Sequence, residues 1–301
     1  MIIKYLYLLS IFFAIIFSKS FNNNSIYNAG SSSYGISLGG IHFLSSNIDG
    51  VFKQAFDLDS SMKNNLYYSN QDKFNGSINL VQFGYCVNHD TLRNFSIGLL
   101  QRSINDNFHT SSSWTEDVDG PSFDEIDYNQ IELFSDNELG LIFSYTSRID
   151  NNLIYSLKVK PSFHKINHSK GYGFGADFIL YNKYQYFDFI LGIEELLSFK
   201  DWSHGTKEKF QSNGYICIYK NIDNYLISYE YNQFKGSIYS FDIELIDNVF
   251  FRVGYNDLNS LVGGFGIKTE FVELNYAYSN SIDRTNHFSL TFNFSKIKSH
   301  I

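Results

Sequence analysis

The chain has 301 residues, 18% of them aromatic, and only two Pro. With 23 basic against 31 acidic residues its net charge is −8, which makes it a poor partner for nucleic-acid phosphates. Two Cys are too few for a disulfide framework, while dense Tyr and Phe favour strands that scarce Pro leaves uninterrupted.

The first element is a targeting segment. Lys4 precedes an apolar run from Tyr5 to Phe17, and Ser18 and Ser20 stand at the −3 and −1 positions of a cut after Ser20. Residues 1–20 therefore read as a signal peptide that is removed on export. No Cys near the cut offers a lipid anchor. The run is shorter than the roughly 20 apolar residues a spanning helix needs. No other stretch is long and apolar enough, so any crossing of a membrane is by strands.

Residues 21–62 read as an N-terminal segment with a first strand at 34–43 and enough length to plug a lumen. From 63 to 294 the chain reads as a β-barrel. Strands are expected at 64–70, 76–87, 93–103, 136–148, 152–165, 170–182, 184–198, 210–220, 224–234, 237–246, 248–257, 261–270, 271–280 and 285–294. Residues 295–301 form a tail after Phe294. In strand after strand, one face is greasy and the other polar or small. Val249, Phe251, Val253 and Tyr255 alternate with Phe250, Arg252 and Gly254. Val272, Leu274, Tyr276 and Tyr278 alternate with Glu273, Asn275, Ala277 and Ser279. This pattern predicts an all-β fold: a transmembrane antiparallel β-barrel of about 14 strands with lipid outside and water inside. A secreted soluble all-β binding protein is the alternative, disfavoured by so many consecutive Phe- and Tyr-rich faces.

The connections are uneven. Turns at 148–152, 221–224 and 247–248 are short and rich in Asn and Asp. The connections 104–135, acidic around Gly120 and Pro121, and 199–209 are long and are assigned to the outer face.

No catalytic, metal or cofactor site emerges. Cys86 and Cys217 fall within strands as unpaired thiols, with a bridge across the lumen as the alternative. His164 and His168 read as solvated loop residues rather than ligands. The acidic stretch 116–132 lacks the spacing of a Ca²⁺ loop and reads as a solvated charged loop. Asn286, His287 and Ser289 share residue types with a barrel phospholipase triad. Alternation is expected to turn His287 away from both of the others, so that they do not converge. Glycines at 171, 173 and 175, and at 263, 264 and 266, lie in strands without a following helix and cradle no phosphate. The one candidate functional surface is the set of inward charges: Lys158, Lys160, Asp177, Glu230, Asp242, Arg252 and Glu273, with Asp188, Glu194 and Glu244. They either pair to support the wall or line a permeation or binding path.

Several blocks resemble a known family. Phe241 to Tyr255 (FDIELIDNVFFRVGY) is similar to a strand pair of the PorV/PorQ outer-membrane proteins, which are FadL-like barrels. Gly263 to Lys268, Leu274 to Tyr278 and His287 to Phe294 resemble that family's glycine-rich, "D-Y-A-Y" and closing strands. Lys158 to Lys160, Gly173 to Asp177, and the early glycines Gly30, Gly35, Gly39 and Gly40 fit as well. The chain departs from the pattern at Asp49 to Ala55, where the family's "N-P-A" is missing, at Asn275, which stands for an Asp, and in its tail. The resemblance implies a FadL-like barrel in the outer membrane, without enzymatic activity, that handles secreted cargo proteins with components of a type IX secretion system. The alternative it implies is FadL-like transport of a hydrophobic small molecule, with the N-terminal segment as plug and a lateral gap for release.

Overall fold

The computed structural model describes residues 25–29, 31–60, 65–73, 76–109, 131–258, 260–280 and 284–294. The expected signal peptide, most of the acidic connection and the tail lie outside the described residues.

The N-terminal part carries short elements: α1 (Ile26–Ala29), α2 (Ser33–Ser37), β1 (Leu44–Ser45), α3 (Gly50–Lys53) and β2 (Ala55–Phe56), with β1 and β2 paired in parallel. The wall begins with β3 (Asn65–Lys73), β4 (Ile78–His89), β5 (Arg93–His109), β6 (Glu132–Arg148), β7 (Leu153–Ile166), β8 (Ser169–Lys183) and β9 (Asp188–Glu194). A hairpin follows, β10 (Phe199–Trp202) and β11 (Lys207–Lys209). The wall resumes with β12 (Asn213–Ile222), β13 (Tyr225–Asn232), β14 (Gly236–Ile246), β15 (Val249–Asn256), β16 (Ser260–Lys268), β17 (Val272–Asn280) and β18 (Arg284–Asn293).

Fourteen of these, β3–β9 and β12–β18, form a closed antiparallel barrel of the FadL-like type. Closure joins the two ends of the chain, because β18 pairs with β3 in a register that sets Ser289 opposite Ser69. Full closure leaves no sheet edge, which is what lets strands satisfy their backbone in lipid. The outer face exposes Phe83, Phe143, Tyr239, Phe251, Tyr255 and Phe265 among many other large apolar side chains. The inner face buries Ser, Asn, Gln and charged residues. A soluble two-layer sandwich would put the aromatics inside, so that alternative does not describe this chain.

Three expectations are corrected. Residues 34–43 are not a strand. The Ser32 hydroxyl accepts from the Gly35 N–H at 3.0 Å and starts helix α2, and Gly39 and Gly40 then both sit at φ 79°, a conformation that L side chains rarely adopt. The expected strand 184–198 ends at Glu194, because Glu195 at φ 55° turns the chain before it rejoins β8 as β10. The connection 199–209 is therefore a hairpin standing on β8, not a bare loop. Strands β5 and β6 also run further than expected and take in Ile104–His109 and Glu132–Ser135.

Candidate functional site: the barrel interior

The interior is filled by the chain's own N-terminal segment. Its apolar residues meet inner-face apolar residues from opposite sides of the wall. Leu38, Ile41 and Phe43 pack with Ile179, Ile190 and Ile238. Ile48, Val51, Phe52 and Phe56 pack with Leu80, Leu100 and Ile142. Each fully buried side chain of this size is worth about 1.5–3 kcal/mol, so a barrel with a polar inner wall still acquires a hydrophobic core.

Polar side chains fix the segment's position. His42, 1% exposed, lies between two carboxylates, with Nδ1 3.0 Å from Glu230 and Nε2 3.3 Å from Glu194. Its backbone N–H donates to the same Glu230 at 2.7 Å, and its ring stacks on Tyr215 at 3.5 Å. Ionised carboxylates only accept, so both ring nitrogens carry protons in this geometry. Burial pushes the imidazole's pKa down, but the two carboxylates outweigh it and hold it above 6.5. Lys158 Nζ donates to the carbonyls of Gly50 and Val51 at 2.8 and 2.9 Å. Gln71, Lys235 and Asn256 donate to the carbonyls of Ser31, Gly40 and Gly39. The Tyr27 hydroxyl reaches the carbonyls of Pro161 and Leu141.

Five of the seven inward charges named from sequence lie in two groups. Lys160 Nζ pairs with Asp177 and Glu195, each at 2.6 Å, on the β7–β8 side. Arg252 Nη1 donates to Asn275 at 2.7 Å, and Asp242 accepts from the Tyr34 hydroxyl at 3.0 Å, on the β14–β17 side. Glu273 accepts from Asn47 at 2.9 Å. Lys158 and Glu230 hold the segment between these groups. Glu194 joins Glu230 at His42, whereas Glu244 accepts from the Asn248 N–H and belongs to a turn. Lys158, Lys160, Asp177 and Glu230 are committed to each other and to the segment, whereas Asp242, Arg252 and Glu273 also border a cavity beside it.

Sequence reasoning missed His42, Tyr27, Tyr34 and Glu195. Reading 34–43 as a strand hid His42 and Tyr34, and the Gly39-Gly40 pair was the signal against that reading. Two further expectations change. His164 is buried, not solvated: its Nε2 contacts Asp136 and its Nδ1 lies 3.0 Å from Lys200. His168 is exposed, and among the described residues no group of potential ligands is placed to hold a metal ion. His287 and Ser289 share the buried inner face, being two residues apart on β18, and Asn286 alone points outward to bond Tyr276. The three still do not converge. Cys86 and Cys217 are both free and buried.

Beside the segment, at the end of the barrel carrying the short turns 223–224 and 247–248, a cavity of about 350 Å³ is lined by Tyr34, Phe43, Phe250, Asp49, Asp242 and Glu273 among others. A second, of about 210 Å³, adjoins it and shares Asn47, Lys268 and Glu273.

No family model and no curated protein matches the chain. Solved structures do. The Pseudomonas putida toluene transporter TodX is 10% identical with a TM-score of 0.57, over 87% of this chain and 96% of its own. The Ralstonia pickettii toluene transporter TbuX is 9% identical with a TM-score of 0.57, over 89% and 99%. The CymD monoaromatic hydrocarbon channel is 11% identical with a TM-score of 0.59, over 88% and 98%. None of these likenesses ties the chain to the PorV/PorQ family that its motifs resemble. At such identities they establish the architecture, and this chain is a FadL-like 14-stranded barrel.

Proposed function

We propose that the chain is a non-enzymatic outer-membrane channel that admits a hydrophobic small molecule, with the N-terminal segment as the plug. The observation that carries this reading is a closed barrel, filled by its own N-terminal segment, whose fold agrees along nearly its whole length with toluene and monoaromatic hydrocarbon channels. Outer-membrane lipid covers the Phe- and Tyr-rich exterior, and removal of residues 1–20 delivers the chain there. An exit through the wall has a candidate place. The β6–β7 ladder skips Leu141 and Ile142 opposite Lys160 and Pro161, then resumes in the same register. Pro161 has no N–H to give a ladder bond.

The test is expression in a bacterium lacking hydrocarbon channels, with folded protein confirmed by heat-modifiable migration of the outer-membrane fraction. Uptake of labelled toluene above that of vector-only cells is the expected result. Unchanged uptake with folded barrel present would overturn the reading. The motif resemblance of 241–294 favours a second reading, handling of secreted cargo. That reading requires co-purification with secreted proteins or secretion-system components, and loss of secretion on deletion.

A further inference from the structure

We propose that the larger cavity binds a cationic amphiphile, a primary ammonium carried on an aromatic or short alkyl body, between the rings of Tyr34, Phe43 and Phe250 and the carboxylates of Asp242 and Glu273. The proposal rests on the channel reading and deepens it by naming the ligand class.

The size fits. At about 350 Å³ the cavity falls within the range of roughly 300–1,000 Å³ of small-molecule sites, and a cavity of about 150 Å³ already holds benzene. One wall is aromatic. Tyr34 and Phe43 meet edge to face at 4.8 Å, and Phe250 joins them in the lining. This wall already accommodates a cation, because the Arg252 guanidinium lies 4.3 Å from the Tyr34 ring centre and 5.3 Å from that of Phe250.

The rest of the lining is rich in acceptors. Asp49, Asp57, Asp242 and Glu273 line the cavity against Arg252 and Lys268, so carboxylates outnumber cations by two. Arg252 is committed to Asn275. Asp242 is 8% exposed, and its Oδ1 stands 3.3 Å from Arg252 Nε without the alignment of a hydrogen bond. In the adjoining cavity Asn65 is 5% exposed, and its Oδ1 has no hydrogen-bond partner. A pure hydrocarbon would displace water from these acceptors without offering a donor, which is costly. An anion would meet the excess of carboxylates. An ammonium brings three donors and one positive charge, and its apolar body meets the rings.

The experiment is titration calorimetry on the full-length barrel in detergent at pH 7.5 with three probes of one shape: 2-phenylethylamine, 3-phenylpropionate and toluene. The amine is expected to bind at least tenfold more tightly than either of the others. Asp242→Asn combined with Glu273→Gln should cost at least tenfold in amine affinity, in protein whose heat-modifiable migration shows that it is folded. Lys268→Ala, an exposed change at the mouth, should tighten amine binding. Equal binding of the three probes, or wild-type amine affinity in both variants, overturns the proposal. Toluene uptake by cells without amine preference overturns the ligand class and leaves the channel standing. Amine-selective binding without uptake of any probe supports the site and overturns the channel.

Discussion

The Tyr27 hydroxyl donates to the Pro161 carbonyl at 2.5 Å, and lies 3.1 Å from the Leu141 carbonyl, where the β6–β7 ladder is interrupted. One side chain of the N-terminal segment thus serves backbone acceptors of both strands at the interruption. Such a bond is worth about 1 kcal/mol made, and roughly 1–3 kcal/mol when its loss leaves a buried acceptor unsatisfied. Tyr27→Phe should therefore loosen the wall locally. Hydrogen exchange at the amides of Ile142 and Lys160 should quicken about five- to hundredfold, with β14–β17 unaffected. Equal protection in wild type and variant would show that the hydroxyl does not hold this gap closed.

Docking of the segment should weaken as pH rises. The folded-state pKa of His42 lies above 6.5, so its contribution is full below that pH and is lost as pH rises through the raised value. Asp49 acts in the same direction. Burial raises its carboxyl from 3.8 to about 6, so the protonated form is favoured in the docked state and that advantage fades as pH climbs through about 6. Lys53 is 5% exposed in the docked segment, so tryptic cleavage after it reports undocking. The cleavage rate, normalised to a free peptide of the same sequence, should rise from pH 6 to pH 8, below the range in which Lys235, lowered by burial to about 8, strengthens docking. His42→Gln should be cut faster at pH 6 and lose most of that pH dependence. A flat wild-type profile would refute the assignment of an imidazolium at this position.

Two glycines of adjacent strands should respond differently to one methyl group. A Cβ on Gly254 would collide with the backbone of Leu38 and Gly39, whereas one on Gly263 meets nothing nearer than the Arg252 carbonyl at 3.6 Å. Gly254→Ala should cost about 1–3 kcal/mol through overpacking and loosen the segment. Gly263→Ala should be near neutral. The two can be ranked by the temperature of the heat-modifiable shift. Equal temperatures would mean that the segment does not press on β15 this closely.

The lipid-facing side can be probed at Phe265, which is exposed on β16 beside the buried Gly266. Phe265→Lys at mid-membrane should cost roughly 2–4 kcal/mol of folding into vesicles. The same change in a water-exposed sheet would cost little. Undiminished folding of the variant into lipid would remove acyl chains from the outer face.

The wall was legible because its rule is local. Period-two alternation at Val249 to Tyr255 and at Val272 to Ser279 places each side chain without knowledge of its neighbours, and the same parity set Lys158, Lys160, Asp177 and Arg252 on the inner face. The conformation and docking of the N-terminal segment were not legible, because its residues follow no strand or long-helix period. Tyr34, Ile36, Leu38 and Ile41 gave the 34–43 stretch an apolar character that reads as a strand. That character in fact answers apolar residues on β8, β9 and β14, which no window of sequence connects. His164 was misread for a similar reason: what buries it comes from Asp136 and Lys200, distant in the chain.

The amino-acid sequence alone therefore determined that this protein is a membrane barrel, because alternation between lipid and water is written residue by residue along every strand. Tertiary structure alone decided how the barrel is filled and what its charges do. Closing the ring brings Glu194 and Glu230 to His42, and Asp242 and Arg252 to Tyr34. Such meetings depend on register and closure, which act across more than a hundred residues of chain.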